Sequence, residues 1–342
     1  MRFELDPRER AGAQLRRLAT GLMDETLRRL DDPDLPPAET VHEARKAMKK
    51  LRGLLRLVRP AAPDLYRAEN RALRDAAAGL AALRDADAAL ETFDRVLDTA
   101  REHADPTAST AAGDRAQVSR TRPQQPMLSE ADPAALASLR ERLSDWRDEA
   151  HQRQGAPQAR LADFREQLLA ARARAADWCL PGAADDDSSF DQLGPGLKKT
   201  YKRGRKAMAL AYGDPGVAAF HDWRKRSKYL GYHLRLLRPG WPDLLKAQRV
   251  AVKDLSDLLG DDHDLAVLAE LLGELRPETA TAAERRAEAL LRAEMRRQSE
   301  SLRQRAQGVG QRVFAERPKA LRRRIGIYWR QAAAAASTQE LP

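Results

Sequence analysis

The segment VHEARKAMKKLRGLLRLVRP, residues 41–60, carries seven Lys and Arg and one carboxylate, Glu43. Wound as a helix at about 100° per residue, it places His42, Arg45, Lys49, Arg52 and Arg56 on one stripe, with Lys46 at the edge. Val41, Ala44, Met48, Leu51, Leu55 and Val58 form an apolar side next to it. Like charges three and four residues apart repel, so a stripe without interleaved acids calls for a partner of opposite sign. Guanidinium groups present a planar fork to anionic oxygens, and ammonium groups act as mobile point charges. The chemistry these residues could do is anion binding. Four helical turns cover roughly 20 Å, which describes a track rather than a pocket for one small ion.

The segment has a twin. FHDWRKRSKYLGYHLRLLRP, residues 220–239, aligns with it at a constant offset of 179, giving 10 identities between His42 and Pro60. His221, Arg224, Lys228 and Arg235 repeat the stripe, and Lys225 repeats its edge. Phe220, Trp223, Leu230, Leu234 and Leu237 form the second packing side. The register persists beyond the motif, with Pro63-Asp64-Leu65 on Pro242-Asp243-Leu244, Asp75 on Asp254 and Asp85 on Asp264. Two basic helices alike by chance would not hold register through the next helices, so the chain contains two equivalent helical units.

GLKKTYKRGRKAM, residues 196–208, adds a third cationic helix, with Lys198, Lys202 and Arg205 as candidate contacts. The net charge is +10, yet segments 42–59, 196–206 and 221–238 alone carry +17, leaving −7 for the rest. Positive charge is therefore concentrated where a polyanion would bind.

Other chemistries fit less well. The spacing His-x-x-Arg is not that of metal ligands, and cationic stripes repel metal ions. His263 sits in DDHD, where Asp261 or Asp262 reads as a helix cap. Asp85 and Asp264 read equally as caps or as groups orienting basic side chains. The sequence lacks a P-loop and a carboxylate cluster for two metals, so no catalytic residue, metal or cofactor is expected. Nucleic acid is the main competing partner, because phosphate contacts alone do not separate the two anions. The stripes hold no Asn or Gln for reading base edges. A structural helical protein that binds anions incidentally is the third reading. The Trp and Met residues read as core, and Tyr201 and Tyr232 equally as ligand contacts or packing.

The elements that must position these residues are helical throughout. Ala, Leu, Arg and Glu dominate the 342 residues, aromatics are 5%, and no alternating strand pattern occurs. Helices are predicted near 8–31, 40–59 (opened by a capping box at Thr40–Glu43), 64–82 and 86–102, and then from Asp132-Pro133 to Cys179 with a break at 155–157. The second half predicts 193–212, Asp214-Pro215 to Arg238, 243–260, 262–275, 277–314 and 317–334. The polar stretch 104–131 reads as a flexible loop, and 181–191 as the boundary between halves. One Cys, no apolar run of membrane-spanning length and no signal-like leader suggest a cytoplasmic protein.

His42-x-x-Arg45-Lys46-x-x-Lys49-x-Leu51 and His221-x-x-Arg224-Lys225-x-x-Lys228-x-Leu230 resemble the paired motifs of the CHAD family, the conserved histidine α-helical domain. LRDAD (83–87), LGDDHDLAVL (259–268), GLKKTYKRGRKAM and FAERPKALRRRIGIYW (314–329) are similar to it as well. The resemblance implies an all-α fold of two pseudo-symmetric antiparallel four-helix bundles, residues 1–180 and 191–335, enclosing a basic central pore. It also implies non-catalytic binding of inorganic polyphosphate and association with polyphosphate granules and their proteins, away from membranes. The residues implied to line the pore are His42, Arg45, Lys46, Lys49, Arg52, Arg56, Lys198, Lys202, Arg205, His221, Arg224, Lys225, Lys228 and Arg235. The bottom-up reading of the charge stripes agrees with that ligand class, since many Lys and Arg neutralise a dense phosphate backbone and release its counterions.

Overall fold

The computed structural model describes residues 2–80, 82–104, 127–153, 157–181 and 189–339, and every regular element among them is helical. In chain order these are α1 (Ala11–Leu30), α2 (Pro37–Val58), α3 (Pro63–Ala78), α4 (Ala82–Ala104), α5 (Pro133–Arg153), α6 (Pro157–Ala175), α7 (Ser189–Gly213), α8 (Val217–Leu236), α9 (Pro242–Glu274), α10 (Ala282–Val313) and α11 (Pro318–Gln339). Most of the 104–131 and 181–191 stretches lies outside the described residues. No helix is long and apolar enough to cross a membrane among the residues described.

Proline opens α2, α3, α5, α6, α9 and α11, where its missing N–H is one that the helix leaves unbonded anyway. This moves the start of α2 back from the expected cap at Thr40 to Pro37. The Thr40 hydroxyl instead donates to the Pro36 carbonyl at 3.1 Å, and Glu43 pairs with Lys46 at 2.9 Å. Asp132 does cap α5, accepting from the Ala134 N–H at 2.9 Å. A capping box opens α10, with the Thr281 N–H donating to Glu284 at 2.8 Å and the Glu284 N–H to the Thr281 hydroxyl at 3.1 Å.

The repeat is visible in the helix boundaries. Shifted by 179, α2 would span 216–237, and α8 spans Val217–Leu236. The same shift carries α1 onto α7 and α3 onto the first half of α9. The halves then diverge. α3 stops at Ala78, whereas α9 runs on as one helix of 33 residues. The expected break at 260–262 is therefore corrected. Asp262 caps nothing there: it is buried within α9, paired with Arg303 Nε at 2.9 Å and bonded to the Ser299 hydroxyl.

The chain forms two compact units, each assembled from both sequence halves. The larger comprises Met1–Arg84, Gln154–Gly260 and Arg305–Pro342. Its core joins Leu15, Met48, Leu51, Leu55, Phe164, Tyr201, Trp223, Leu255 and Trp329. The smaller comprises Asp85–Arg153 and Asp261–Gln304. There α4, α5, the second part of α9 and the first part of α10 bury Phe93, Leu139, Leu268 and Leu291. Glu284 ties α10 to α5, accepting from the Ser138 hydroxyl and Arg142 Nη1 at 2.7 Å each. Together with the α10 cap, these donors hold its carboxyl down at about 2.

Candidate functional site

All three cationic helices, α2, α7 and α8, belong to the larger unit. The expected apolar sides are the buried ones: Val41, Ala44, Met48, Leu51, Leu55 and Val58 on α2, and Phe220, Trp223, Leu230, Leu234 and Leu237 beside them. α2 and α8 meet where neither carries bulk on both sides. A Cβ on Gly53 would stand 3.0 Å from that of Tyr232, and the two residues are equivalent under the repeat. Buried His233 places its Nε2 3.1 Å from the Gly53 carbonyl oxygen. A carbonyl only accepts, so this nitrogen carries the proton.

Two further pairs of positions equivalent under the repeat lie on this helix pair. The Arg56 guanidinium lies 3.8 Å from the centre of the Tyr229 ring. Lys50, the equivalent of Tyr229, feels the charge of Arg235, the equivalent of Arg56. Burial, followed by the charges of Arg235 and Lys46, holds the Lys50 amine below its ordinary range.

α7 completes the cluster because Gly196 lets its backbone press onto α2. A Cβ there would fall 1.7 Å from the Leu57 carbonyl oxygen. One and two turns on, Lys199 and Arg203 join Arg56, Arg59, Arg226 and Tyr229 around a small void of about 10 Å³. Among the described residues Arg56, Arg59, Lys199 and Arg203 form no ion pair with a carboxylate, and Arg226 alone is paired, to Asp222 at 2.9 Å. Burial pulls Lys199 and Arg203 down, and the charge of Arg59 adds to the effect in both. Burial lowers Arg56, and the neighbouring Tyr229 and Tyr66, the latter ring 5.6 Å away, work against that shift. Held together without counterions, these cations repel one another, and an incoming polyanion would relieve that cost.

Neighbouring helices aim the stripe residues. The Asn70 side-chain oxygen on α3 accepts from Arg52 Nε at 3.2 Å and Arg56 Nη1 at 2.9 Å. Shifted by 179, Arg52 becomes Gly231 and Asn70 becomes Arg249, so the second half exchanges which helix carries the cation. The motif arginines are also anchored differently. Arg45 donates to the Leu80 carbonyl at 3.0 Å, an acceptor free because α3 has ended. In the unbroken α9 the equivalent carbonyl, Leu259, is occupied by the helix. Arg224 packs instead on Gly260, its Nη2 3.2 Å from where a Cβ would be.

The other expected site residues distribute as follows. His42 is exposed with Nε2 4.0 Å from Glu43, and Lys46 pairs with the same carboxylate. Lys49 is exposed on α2, while His221 and Lys228 are half-buried on α8. Lys225 lies 3.7 Å from Asp222. On α7 the structure does not bring Lys198, Lys202 or Arg205 to the Arg56 cluster. Lys198 lies in a cleft beside α11, Lys202 is exposed, and Arg205 donates to the Glu316 carbonyl at 3.0 Å. Sequence reasoning missed Lys50, Arg59, Lys199, Arg203, Arg226 and Tyr229. The signal for α7 was the spacing Gly196–Lys199–Arg203, which puts its glycine and two cations on one face. Tyr201 is a packing residue, its hydroxyl donating to the Val313 carbonyl and accepting from the Glu316 N–H, both at 3.1 Å. Tyr232 packs on Gly53, and burial pushes its hydroxyl up to about 12. Asp264 lies 4.0 Å from Arg95, and the Asp85 side chain is outside the described residues. Among the described residues no group of His, Cys, Asp and Glu could hold a metal ion.

The described residues define an all-helical class of protein, with Arg56, Arg59, Lys199 and Arg203 gathered together and in no ion pair with a carboxylate among them. Within that class, the family model for the CHAD domain matches residues 9–273, and the chain belongs to that family. The match ends before α11, so the closing segment 314–329 lies beyond it. No curated protein matches the chain.

Proposed function

We propose that the chain binds inorganic polyphosphate without catalysis, and that this binding places it on polyphosphate granules. In this reading α2 and α8 are two walls of one basic pore, related by a local twofold axis passing near Gly53 and Tyr232, within a pair of four-helix bundles. The close approach of Gly53 and Tyr232 favours that symmetry, because the two residues are equivalent under the repeat and a contact between equivalent positions is what a twofold produces. The observation that carries the ligand class is the cluster of Arg56, Arg59, Lys199, Arg203 and Arg226, in which Asp222 is the one ion-paired carboxylate among the described residues. A phosphate chain needs no base readout, and these helices offer it forks, point charges and two tyrosine rings that stiffen the central guanidinium.

A competition assay tests the reading. Long-chain polyphosphate and mixed-sequence DNA are titrated against the full chain at about 0.15 M salt, where exposed charges are screened beyond ~8 Å. Polyphosphate is expected to displace DNA at equal phosphate concentration, with a steep salt dependence. Stronger binding of DNA would reject polyphosphate as the ligand, and negligible binding of either would leave a structural helical protein.

A further inference from the structure

The α11 helix carries a second cationic stripe that the α2–α7–α8 cluster does not use. Lys319, Arg322, Arg323, Gly326 and Arg330 recur at i, i+3, i+4, i+7 and i+11, which is one helical face roughly 16 Å long at 1.5 Å per residue. With Lys198 and Asp191 of α7 they line a cleft of about 350 Å³ floored by the buried Phe190. Two glycines let the helices close on that ring. A Cβ on Gly194 would lie 2.7 Å from Phe190 and 3.1 Å from Arg322 Nε, and one on Gly326 2.8 Å from Phe190. The Trp329 indole N–H, donating to the Ser189 hydroxyl at 2.9 Å, fixes the start of α7 on α11.

Charge balance in the cleft is one-sided. Asp191 lies 3.7 Å from Arg322. Among the described residues Lys198, Lys319, Arg323 and Arg330 form no ion pair with a carboxylate. Elsewhere on the same helix, Arg324 is neutralised by Glu316 at 2.8 Å. Like charges at i, i+3 and i+4 cost helix stability unless something offsets them. A cleft with a rigid floor, unpaired cations on two helices and room for several phosphoryl groups is suited to a short oligophosphate, which Arg forks and Lys point charges bind together.

We propose that this cleft is a second oligophosphate-binding site, taking a short run of phosphoryl groups along the α11 stripe independently of the α2–α7–α8 cluster. It borrows only the chemistry of the ligand from the polyphosphate reading, since it shares no lining residue with that cluster.

The test is calorimetric titration of the full chain with tripolyphosphate, comparing wild type with two variants. K319Q/R323Q/R330Q removes three exposed cleft cations, and K199Q/R203Q weakens the cluster. The cleft variant is expected to lose one component of tripolyphosphate binding by about tenfold or more and to keep the other. The cluster variant should show the converse. A cleft variant that titrates like wild type overturns the proposal, and if the cluster variant still loses binding the polyphosphate reading stands alone. Loss in the cleft variant with none in the cluster variant supports the cleft and rejects the cluster. If the triple variant loses helicity, Arg323→Gln alone is measured, with the same component expected to weaken and an unchanged titration counting against the site. Preferential filling of the cleft by a mixed-sequence oligonucleotide at equal phosphate concentration would overturn the ligand class.

Discussion

The guanidinium of Arg56 lies 3.8 Å from the centre of the Tyr229 ring, on the helix that repeats its own. Asn70 holds the same group from a third helix at 2.9 Å. The cation is thereby oriented by stacking and by a hydrogen bond rather than by a carboxylate, so its charge stays available. Arg56→Lys keeps that charge but loses the fork and the planar stack. Such stacks are worth about 0.5–2 kcal/mol, so polyphosphate affinity should fall several-fold. The slope of log affinity against log salt should stay the same, because the number of neutralising cations is unchanged. Binding titrations at several salt concentrations check this; an affinity equal to wild type would remove Arg56 from the site.

Close approach of backbones, more than side-chain burial, sets how α7 meets α2. Gly196→Ala would drive a Cβ to 1.7 Å from the Leu57 carbonyl oxygen, and backbone cannot swing aside as a flexible side chain can. The cost should reach or exceed the ~1–3 kcal/mol typical of overpacking. Lys199 and Arg203 would be displaced with the helix, so polyphosphate binding should weaken as well. Gly308 within α10 is the contrast, with nothing within 4 Å of an added Cβ. Gly308→Ala should stabilise by about 0.5–1 kcal/mol through helix propensity alone. Thermal or denaturant unfolding of the two variants separates these outcomes. A Gly196→Ala protein as stable as wild type would show that the crossing is looser than described.

Much of this was legible beforehand because it is written in period and register. The two faces of α2 follow from the positions of Val41, Met48 and Leu55 against Arg45, Lys49 and Arg56. The equivalence of α2 and α8 follows from identities held at one offset. What was not legible depends on partners remote in sequence. Gly260-Asp261-Asp262 has the look of a helix stop. It is not one, because Arg224 fills the space that Gly260 vacates and Arg303 neutralises buried Asp262. The choice of Lys199 and Arg203 over Lys198 and Lys202 turns on the azimuth of α7, which the Gly196–Leu57 contact fixes and no charge count reveals. The compact units were hidden for the same reason, since the bonds from Glu284 to Ser138 and Arg142 join residues from opposite halves of the chain.

His233 gives the larger unit a built-in sensitivity to acid. Fully buried, with Nε2–H committed to the Gly53 carbonyl, it leaves Nδ1 without a hydrogen-bond partner. A proton on Nδ1 would put a charge in the core beside Arg56, so burial and then that neighbour push the imidazole down to about 3. The unfolded chain takes up this proton near the ordinary value of about 6.5. The folded state therefore keeps its full advantage above pH 6.5 and loses it progressively as pH falls towards 3. By about pH 5 the loss amounts to roughly 2 kcal/mol. Most carboxylates are still ionised in the window from pH 6.5 to 5, so the slope there reports histidines. Exposed His42 and the other histidines contribute equally to wild type and variant. His233→Gln, whose amide can still donate to Gly53, should flatten the slope by about 1.4 kcal/mol per pH unit, at the cost of some stability near pH 8. Denaturant unfolding at several pH values measures the difference, and parallel curves for the two proteins would show that His233 is not the group that takes up the proton.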